Sequence, residues 1–487
     1  MPRLVSHLLI PALLGALAVP GFAPLGWWPA TIVSLTFLFV WVRGSSPLGS
    51  FVVGWGYGMG LFLVGVSWVY VSLSTYGGLP APIAVVATLL FCAFIALYPA
   101  LALMLAARLA PKSWMSPVLA LPAAWVLLEW VRGWFLTGFP WLAFGYSQVP
   151  DSPLAGFAPM LGVYGVSLMV ALVAGLFASR RPNFMTAGVL LLVAGYGLQQ
   201  ATWTRPAGAP VSVALLQGNV PQEMKFRPEK IAATLQDYAR QVFATDARLV
   251  IMPETAVPLF RSNVPGGYLE VLAEHVKQRN GDLLVGLPEN TPSGEYYNAV
   301  ASFGASPAGN YRKHHLVPFG EFVPFGFRWL VDMMHIPLGD FSVGAADQGP
   351  IAAAGEQLAV NVCYEDAFGE ERIHAAREAT LLVNVSNDAW FGNSLSPRQH
   401  LQIGAMRSLE AGRWQLRSNN TGITAILDEQ GRVRAELAPF TQATLAGEAQ
   451  GRTGLTPYLR WGNVPVLIII AALLAAAFLI SRKRASA

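Results

Sequence analysis

Charge is scarce in this chain of 487 residues: 12% are Asp, Glu, Lys or Arg, whereas 54% are hydrophobic. A soluble globule carries about a quarter charged residues, so an ordinary soluble fold throughout is excluded and much of the chain needs lipid as its solvent. Cysteine is scarcer still. Cys92 lies in a predicted membrane span and Cys363 in a predicted external domain, so the two do not pair. The seven histidines lack metal-ligand spacing, and the adjacent His314 and His315 point in different directions, so no metal site is expected. Neither an internal repeat nor a low-complexity tract is present. What is abundant is Gly and Pro, 47 and 35, spread through apolar stretches as well as loops, which membrane helices tolerate. The net charge of +4 comes from basic residues beside apolar segments, among them Arg3, Arg43, Arg108, Lys112, Arg180, Arg181 and Arg482. The rest of the chain is slightly acidic, so the charge reflects membrane topology and no nucleic-acid partner is expected.

Runs long enough to cross about 30 Å of hydrocarbon occur near residues 5–23, 26–42, 51–74, 82–107, 115–136, 154–178, 184–199 and 464–480. These predict about eight spans, seven within residues 1–204 and one within 456–487, with a basic tail. Between them, residues 205–455 have ordinary charge density and read as a soluble domain. With the N-terminus inside, the basic loop residues all fall on the cytoplasmic side, and an even number of spans returns the C-terminus there. The 205–455 domain is then extracytoplasmic. A rival reading takes residues 3–23, ending in Gly21-Phe22-Ala23, as a cleaved signal peptide, which would break the charge alternation. Glu129 and Arg132, three residues apart on one helix face, read either as an ion pair near a membrane end or as a contact to a phospholipid headgroup.

In the soluble part, strands are predicted at Val211–Leu216, Leu249–Met252, Leu283–Leu287, Asn298–Phe303, Leu358–Val362 and Leu381–Val385. Helices are predicted at Glu229–Thr245, Tyr268–Arg279 and Pro397–Gly412, and a hairpin turns at Gly431 between Asp428 and Arg432. The alternation argues a layered α/β domain.

Chemistry-bearing residues collect at strand ends. Cys363, followed by Tyr364-Glu365-Asp366, ends one strand at a strand-to-helix junction, where outward backbone N–H groups can stabilise a thiolate or an oxyanion. A buried structural thiol is the alternative, since free cysteine is among the most buried residue types. Glu254 in Met252-Pro253-Glu254 puts a carboxylate past the end of a second strand, and Lys313 in Tyr311-Arg312-Lys313 puts an ammonium after a third. The segment from Phe325 to Val343, with Phe327, Trp329, Leu330, Met333, Met334, Ile336 and Leu338, reads as an apolar arm on the membrane or over the site, or as core packing.

Together, Glu254, Lys313 and Cys363 resemble the Glu-Lys-Cys triad of the nitrilase superfamily. Three further segments are similar to the bacterial apolipoprotein N-acyltransferases: Gln217-Gly218-Asn219, the run Pro318-Phe319-Gly320-Glu321-Phe322-Val323-Pro324, and the run Ser386-Asn387-Asp388-Ala389-Trp390-Phe391-Gly392. The membrane frame around the domain fits the same family. The resemblance implies a polytopic α-helical membrane protein with an inserted extracytoplasmic nitrilase-like α-β-β-α sandwich. It implies Glu254 as general base, Cys363 as the nucleophile that accepts the acyl chain, and Lys313 with the N–H of Tyr364 as oxyanion donors. Glu321 would orient Lys313 or the incoming amine, and Tyr364 and Glu365 would line the pocket. Trp390-Phe391-Gly392 follows a strand and reads as an acyl-contacting loop that Gly392 allows to bend, or as a core aromatic segment. Phe226 stands where the family often carries Trp, which leaves its role open. The implied reaction takes an acyl chain from a glycerophospholipid, the sn-1 chain of phosphatidylethanolamine, onto Cys363 as a thioester. The chain then passes to the α-amine of a diacylglyceryl-cysteine apolipoprotein. No cofactor is expected, and the implied setting is the bacterial inner membrane, with the protein a monomer. Two other readings keep part of this: a membrane-tethered amidase acting on a small soluble amide, and a transporter or sensor whose external domain only binds ligand. The first leaves the many spans unexplained, and the second leaves the triad unexplained.

Overall fold

A computed structural model describes residues 2–110, 115–324, 326, 328 and 340–485. Lys112 and the core of the expected apolar arm, including Phe327, Trp329 and Leu330 through Pro337, lie outside these residues. The described chain divides into two compact units.

The first unit comprises residues 1–70, 80–202 and 460–487 and is helical. Among the described residues, Pro47–Gly65, Ala81–Leu109, Pro153–Ala178 and Val464–Lys483 are long and apolar enough to cross a membrane, and Ser6–Gly21 and Pro29–Trp41 are shorter apolar helices. Leu13, Phe37, Leu90 and Ile468 are exposed on these helices, as a lipid-solvated surface requires. The run at 115–136 behaves differently, since only Ala120–Arg132 is helical. At its end the buried Arg132 donates to the carbonyls of Phe139 and Trp141, at 2.5 and 2.6 Å. Glu129 Oε1 accepts from the N–H of Phe144 at 2.9 Å. The pair therefore satisfies the backbone of a non-helical segment, the condition under which irregular backbone is tolerated at membrane depth.

The second unit comprises residues 71–79 and 203–459. It is built on two six-stranded sheets. In the first, Val211–Gln217, Leu249–Ile251 and Asp282–Asn290 run parallel, flanked by Ala443–Ala449 on one side and by Tyr296–Gly304 and Asn310–Arg312 on the other, all antiparallel. In the second, Glu356–Val362, Leu381–Ser386 and Trp414–Asn419 run parallel. Ile351–Ala353 flanks one edge antiparallel, and Ala425–Leu427 with Val433–Glu436 the other. One apolar core joins the sheets face to face: Val213, Leu215 and Ile251 come from the first, and Val360, Val383 and Leu416 from the second. On the outer face of the first sheet, Pro228–Phe243 and Tyr268–Lys277 bury Leu235, Tyr238, Val242, Leu272 and Val276. The helix Ile373–Glu378 covers the second sheet through Ile373 and Ala376. The layers are thus α-β-β-α.

The predicted hairpin turns at Gly431, whose φ of 73° suits a glycine, with its N–H donating to Asp428 O at 3.0 Å. Every predicted strand and helix of this unit has a counterpart in the structure within a few residues. The strands Asn310–Arg312, Ile351–Ala353, Trp414–Asn419 and Ala443–Ala449 were not predicted.

Candidate active site

The carboxyl ends of the parallel strands carry the polar residues, the usual place for ligand chemistry in α/β sheets. Glu254 follows the strand Leu249–Ile251 in a turn that docks tightly on the neighbouring strand. That docking needs Gly286: a Cβ there would meet Pro253 O at 2.3 Å and Glu254 Cα at 2.9 Å. Asn298, in the strand Tyr296–Gly304, donates its amide N–H groups to Glu254 Oε1 at 2.7 Å and to Glu321 Oε1 at 2.9 Å. Its carbonyl accepts from the N–H of Lys313 at 2.8 Å, so one residue registers both carboxylates against the lysine. Lys313 is 1% exposed. Its Nζ lies 2.9 Å from Glu321 Oε1, 2.8 Å from Glu321 Oε2 and 3.8 Å from Glu254 Oε1. Glu321 Oε2 also accepts from the N–H of Val317 at 2.8 Å, which fixes the turn that carries it.

Cys363 ends the strand Glu356–Val362 with φ of 54°, a left-handed conformation that a non-glycine residue holds only when its surroundings impose it. The imposing contact is Glu365. Its Oε2 accepts from the N–H of Val362 at 2.7 Å. Its Oε1 accepts from Tyr311 Oη and from the N–H groups of His314 and His315, at 2.8, 2.8 and 3.1 Å. The sequence reading made Glu365 a pocket-lining group, whereas the structure has it clamping the Cys363 turn to the Lys313 strand end. Tyr364 packs edge-on against Phe368 at 5.0 Å and His315 at 5.8 Å. Trp390 is bound through its carbonyl to Ser72 Oγ at 2.9 Å and lies edge-on to Tyr76 at 6.2 Å. Phe226 is 37% exposed, beside the buried Lys225. The structure therefore brings Glu254, Lys313 and Glu321 into direct contact, while Trp390 and Phe226 sit on flanking loops.

Two participants escaped the sequence reading. Lys225 donates from Nζ to the carbonyl of Glu254 at 3.0 Å and is buried. Asn298 was read only as a strand residue, although a polar side chain in an otherwise apolar strand was a usable signal.

The electrostatics follow from burial and proximity. Burial pushes the Glu254 carboxyl above the ordinary glutamate value and Glu321 adds to this, while Lys313, Lys225 and the Asn298 hydrogen bond oppose it. Burial alone would discharge Lys313, but Glu321 and Glu254 outweigh it and hold the ammonium above the ordinary lysine value. Lys225 is lowered by burial to about 8, with Glu254 and Cys363 acting against the shift. The Cys363 thiol is pushed up, first by burial and then by the charge of Glu254, with Lys313 opposing. The charges of both Glu254 and Lys313 thus bear on the Cys363 thiol. Among the described residues, no group of three or more His, Cys, Asp or Glu side chains could hold a metal ion.

Comparison with known proteins agrees along the whole chain. Residues 14–176 match the family model of the apolipoprotein N-acyltransferase N-terminal domain, and residues 212–458 match that of carbon-nitrogen hydrolases. An apolipoprotein N-acyltransferase of Nitrosomonas europaea is 51% identical over 95% of this chain and 95% of its own length. Another from Chromobacterium violaceum is 45% identical over 99% of this chain and 95% of its own, and one from Ralstonia nicotianae is 45% identical over 95% and 92%.

Proposed function

Because this chain belongs to the apolipoprotein N-acyltransferase family, we propose that its acyl transfer runs through a thioester on Cys363, with Glu254 as base and Lys313 as the oxyanion's cation. It is an acyltransferase of lipoprotein maturation, and a membrane protein whose catalytic domain has the carbon-nitrogen hydrolase fold. The observation that carries the mechanism is the Lys313 ammonium held between Glu321 and Glu254, with the Cys363 thiol under the influence of both charges of the triad.

In the first half-reaction Glu254 takes the Sγ proton as sulfur attacks the ester carbonyl of a glycerophospholipid, at its sn-1 chain. The thiol's raised position requires that proton transfer accompany attack. Lys313 and the N–H of Tyr364 stabilise the oxyanion. Collapse breaks the ester C–O bond, and the alkoxide leaves as lysophospholipid after taking the proton from Glu254. In the second half-reaction the neutral α-amine of the S-diacylglyceryl-cysteine attacks the thioester and Glu254 accepts the amine proton. The C–S bond then breaks and the proton returns to sulfur, leaving the amide. The raised position of Glu254 brings it nearer to neutrality than an ordinary carboxylate, which suits a group that both takes and gives a proton. Tyr364, Trp390 and Phe226 are assigned to the pocket for the acyl chains and the acceptor.

The arrangement in the membrane is part of the same reading. Residues 1–204 supply seven spans, 205–455 the catalytic domain and 456–487 the last span. Both termini are cytoplasmic, and the catalytic domain is periplasmic on the inner membrane of a monomer. The alternation of basic residues in the short loops supports this orientation. The test is transfer from phosphatidylethanolamine labelled separately in its sn-1 and sn-2 chains to a diacylglyceryl-cysteine peptide. The reading expects sn-1 label in a base-stable amide and sn-2 label in lysophospholipid. Label released only as free fatty acid would overturn it.

A further inference from the structure

A second pair of buried titratable side chains lies behind Cys363 and takes no part in the proton transfers above. His400, in the helix Ser396–Ala411, and Asp388, just past the strand Leu381–Ser386, are each 1% exposed. One ring nitrogen of His400, Nδ1, lies 3.0 Å from Asp388 Oδ1. The other, Nε2, lies 3.2 Å from the carbonyl oxygen of Cys363. A backbone carbonyl can only accept a hydrogen bond. Asp388 is also surrounded by donors: Asn419 Nδ2 reaches Oδ2 at 2.7 Å and Ser386 Oγ reaches Oδ1 at 3.2 Å, the pattern of an ionised carboxylate. The ring thus bridges two acceptors, whereas a neutral imidazole has a single N–H.

We infer that His400 is a positioning residue of the acyl transfer, held as an imidazolium by Asp388, which fixes the left-handed backbone of Cys363 and sets a second positive charge against its carbonyl. Two features support the role. The Cys363 carbonyl is gripped from two elements at once, by His400 and by Asn384 Nδ2 at 3.1 Å, at the one residue of this turn whose conformation is strained. Asp388 alone works against the thiolate, since its charge adds to the upward push on the Cys363 thiol. A proton on His400 cancels that charge. Two further cations, Lys225 and Arg417, also bear on the Cys363 thiol. Arg417 reaches the same helix one turn on, at Gly404, but is paired with Asp366. Lys313 and Glu254 act on the sulfur itself.

The inference rests on Cys363 being the nucleophile, and its test separates the two claims. The full-length protein in detergent is compared as wild type, His400→Gln and Asp388→Asn. The glutamine amide can keep a donor toward the Cys363 carbonyl but carries no charge, and the asparagine removes the counter-ion that holds the proton. The readout is the pH dependence of Cys363 alkylation by iodoacetamide, with peptide mapping to separate it from Cys92. Both variants are expected to stay folded by circular dichroism. His400→Gln, which leaves Asp388 uncompensated, is expected to shift the midpoint upward by about one pH unit, about a tenfold slower reaction below the midpoint, whereas Asp388→Asn, which removes both charges, is expected to shift it less. A His400→Gln profile superimposed on that of wild type overturns the inference, because a purely structural ring is replaced by its isosteric donor. Loss of fold in both variants also overturns it, since the pair is then scaffold alone. Wild-type protein that forms no acyl adduct at Cys363 from phosphatidylethanolamine fails the thioester reading instead, whatever the profiles show.

Discussion

Replacing Glu321 by Gln removes one of two negative charges that share a single amide. Asn298 Nδ2 donates to Glu254 at 2.7 Å and to Glu321 at 2.9 Å. Oxygens that share one nitrogen in this way are roughly 5 Å apart, where two unit charges at an effective dielectric near 20 repel by about 3 kcal/mol. Losing that repulsion stabilises ionised Glu254 by an amount on the order of two pH units. The lysine acts in the same direction: its ammonium, 2.8 Å from Glu321 Oε2 and 3.8 Å from Glu254 Oε1, is left with Glu254 as its only carboxylate of the two. The base therefore titrates lower in Glu321→Gln. The assay is the pH dependence of lysophospholipid release in a single turnover without acceptor, where the acid limb follows the base of the free enzyme. The limb is expected to move to lower pH while the plateau falls, because a weaker base takes the thiol proton less readily. The new amide also meets the N–H of Val317, so the height of the plateau mixes two effects and the position of the limb is the readout. An acid limb that stays in place or moves upward would refute the coupling of Glu254, Glu321 and Lys313.

Other expectations follow from single contacts. Lys225→Met should raise Tm at pH 7, because a lysine lowered from 10.5 to about 8 carries a charging penalty of about 3 kcal/mol, against which the lost bond to Glu254 O costs about 1 kcal/mol. The folded-state value lies below the unfolded one, so the penalty is complete below pH 8 and disappears by about pH 10.5. The Tm advantage should shrink across that window, and a pH-independent difference would contradict the assignment. Gly286→Ala forces a Cβ to within 2.3 Å of Pro253 O, so the Glu254 turn must move. Overpacking of this kind costs about 1–3 kcal/mol, and an ångström's displacement of a base lowers the acylation rate on the order of 100-fold. Single-turnover kinetics beside thermal unfolding check both parts.

The sequence exposed Glu254 and Cys363 because each follows a short apolar strand that hydropathy marks, Leu249–Ile251 and Glu356–Val362. Lys313 instead follows Asn310–Arg312, a strand without an apolar run. The contacts that couple them were hidden, because Asn298, Lys225, Asp388 and His400 meet the triad through space at no fixed spacing. The strand Trp414–Asn419 escaped for a related reason. Its Gln415, Arg417, Ser418 and Asn419 are buried and bonded to Asp366, Leu216 O, Ile251 O and Asp388, so the strand reads as polar although it lies inside. In the membrane part, hydropathy located the apolar runs but extended the fifth beyond its helix. Glu129 and Arg132 there serve the backbone of residues 139–144, a three-dimensional use that composition does not register.

The central claim is the thioester on Cys363, and the most direct measurement is intact mass. Purified wild-type protein and Cys363→Ala are incubated with phosphatidylethanolamine and no acceptor. The account predicts one acyl-sized adduct on wild type alone, removed by neutral hydroxylamine and by a diacylglyceryl-cysteine peptide. Folded wild-type protein without the adduct, or an equal adduct on Cys363→Ala, would contradict it.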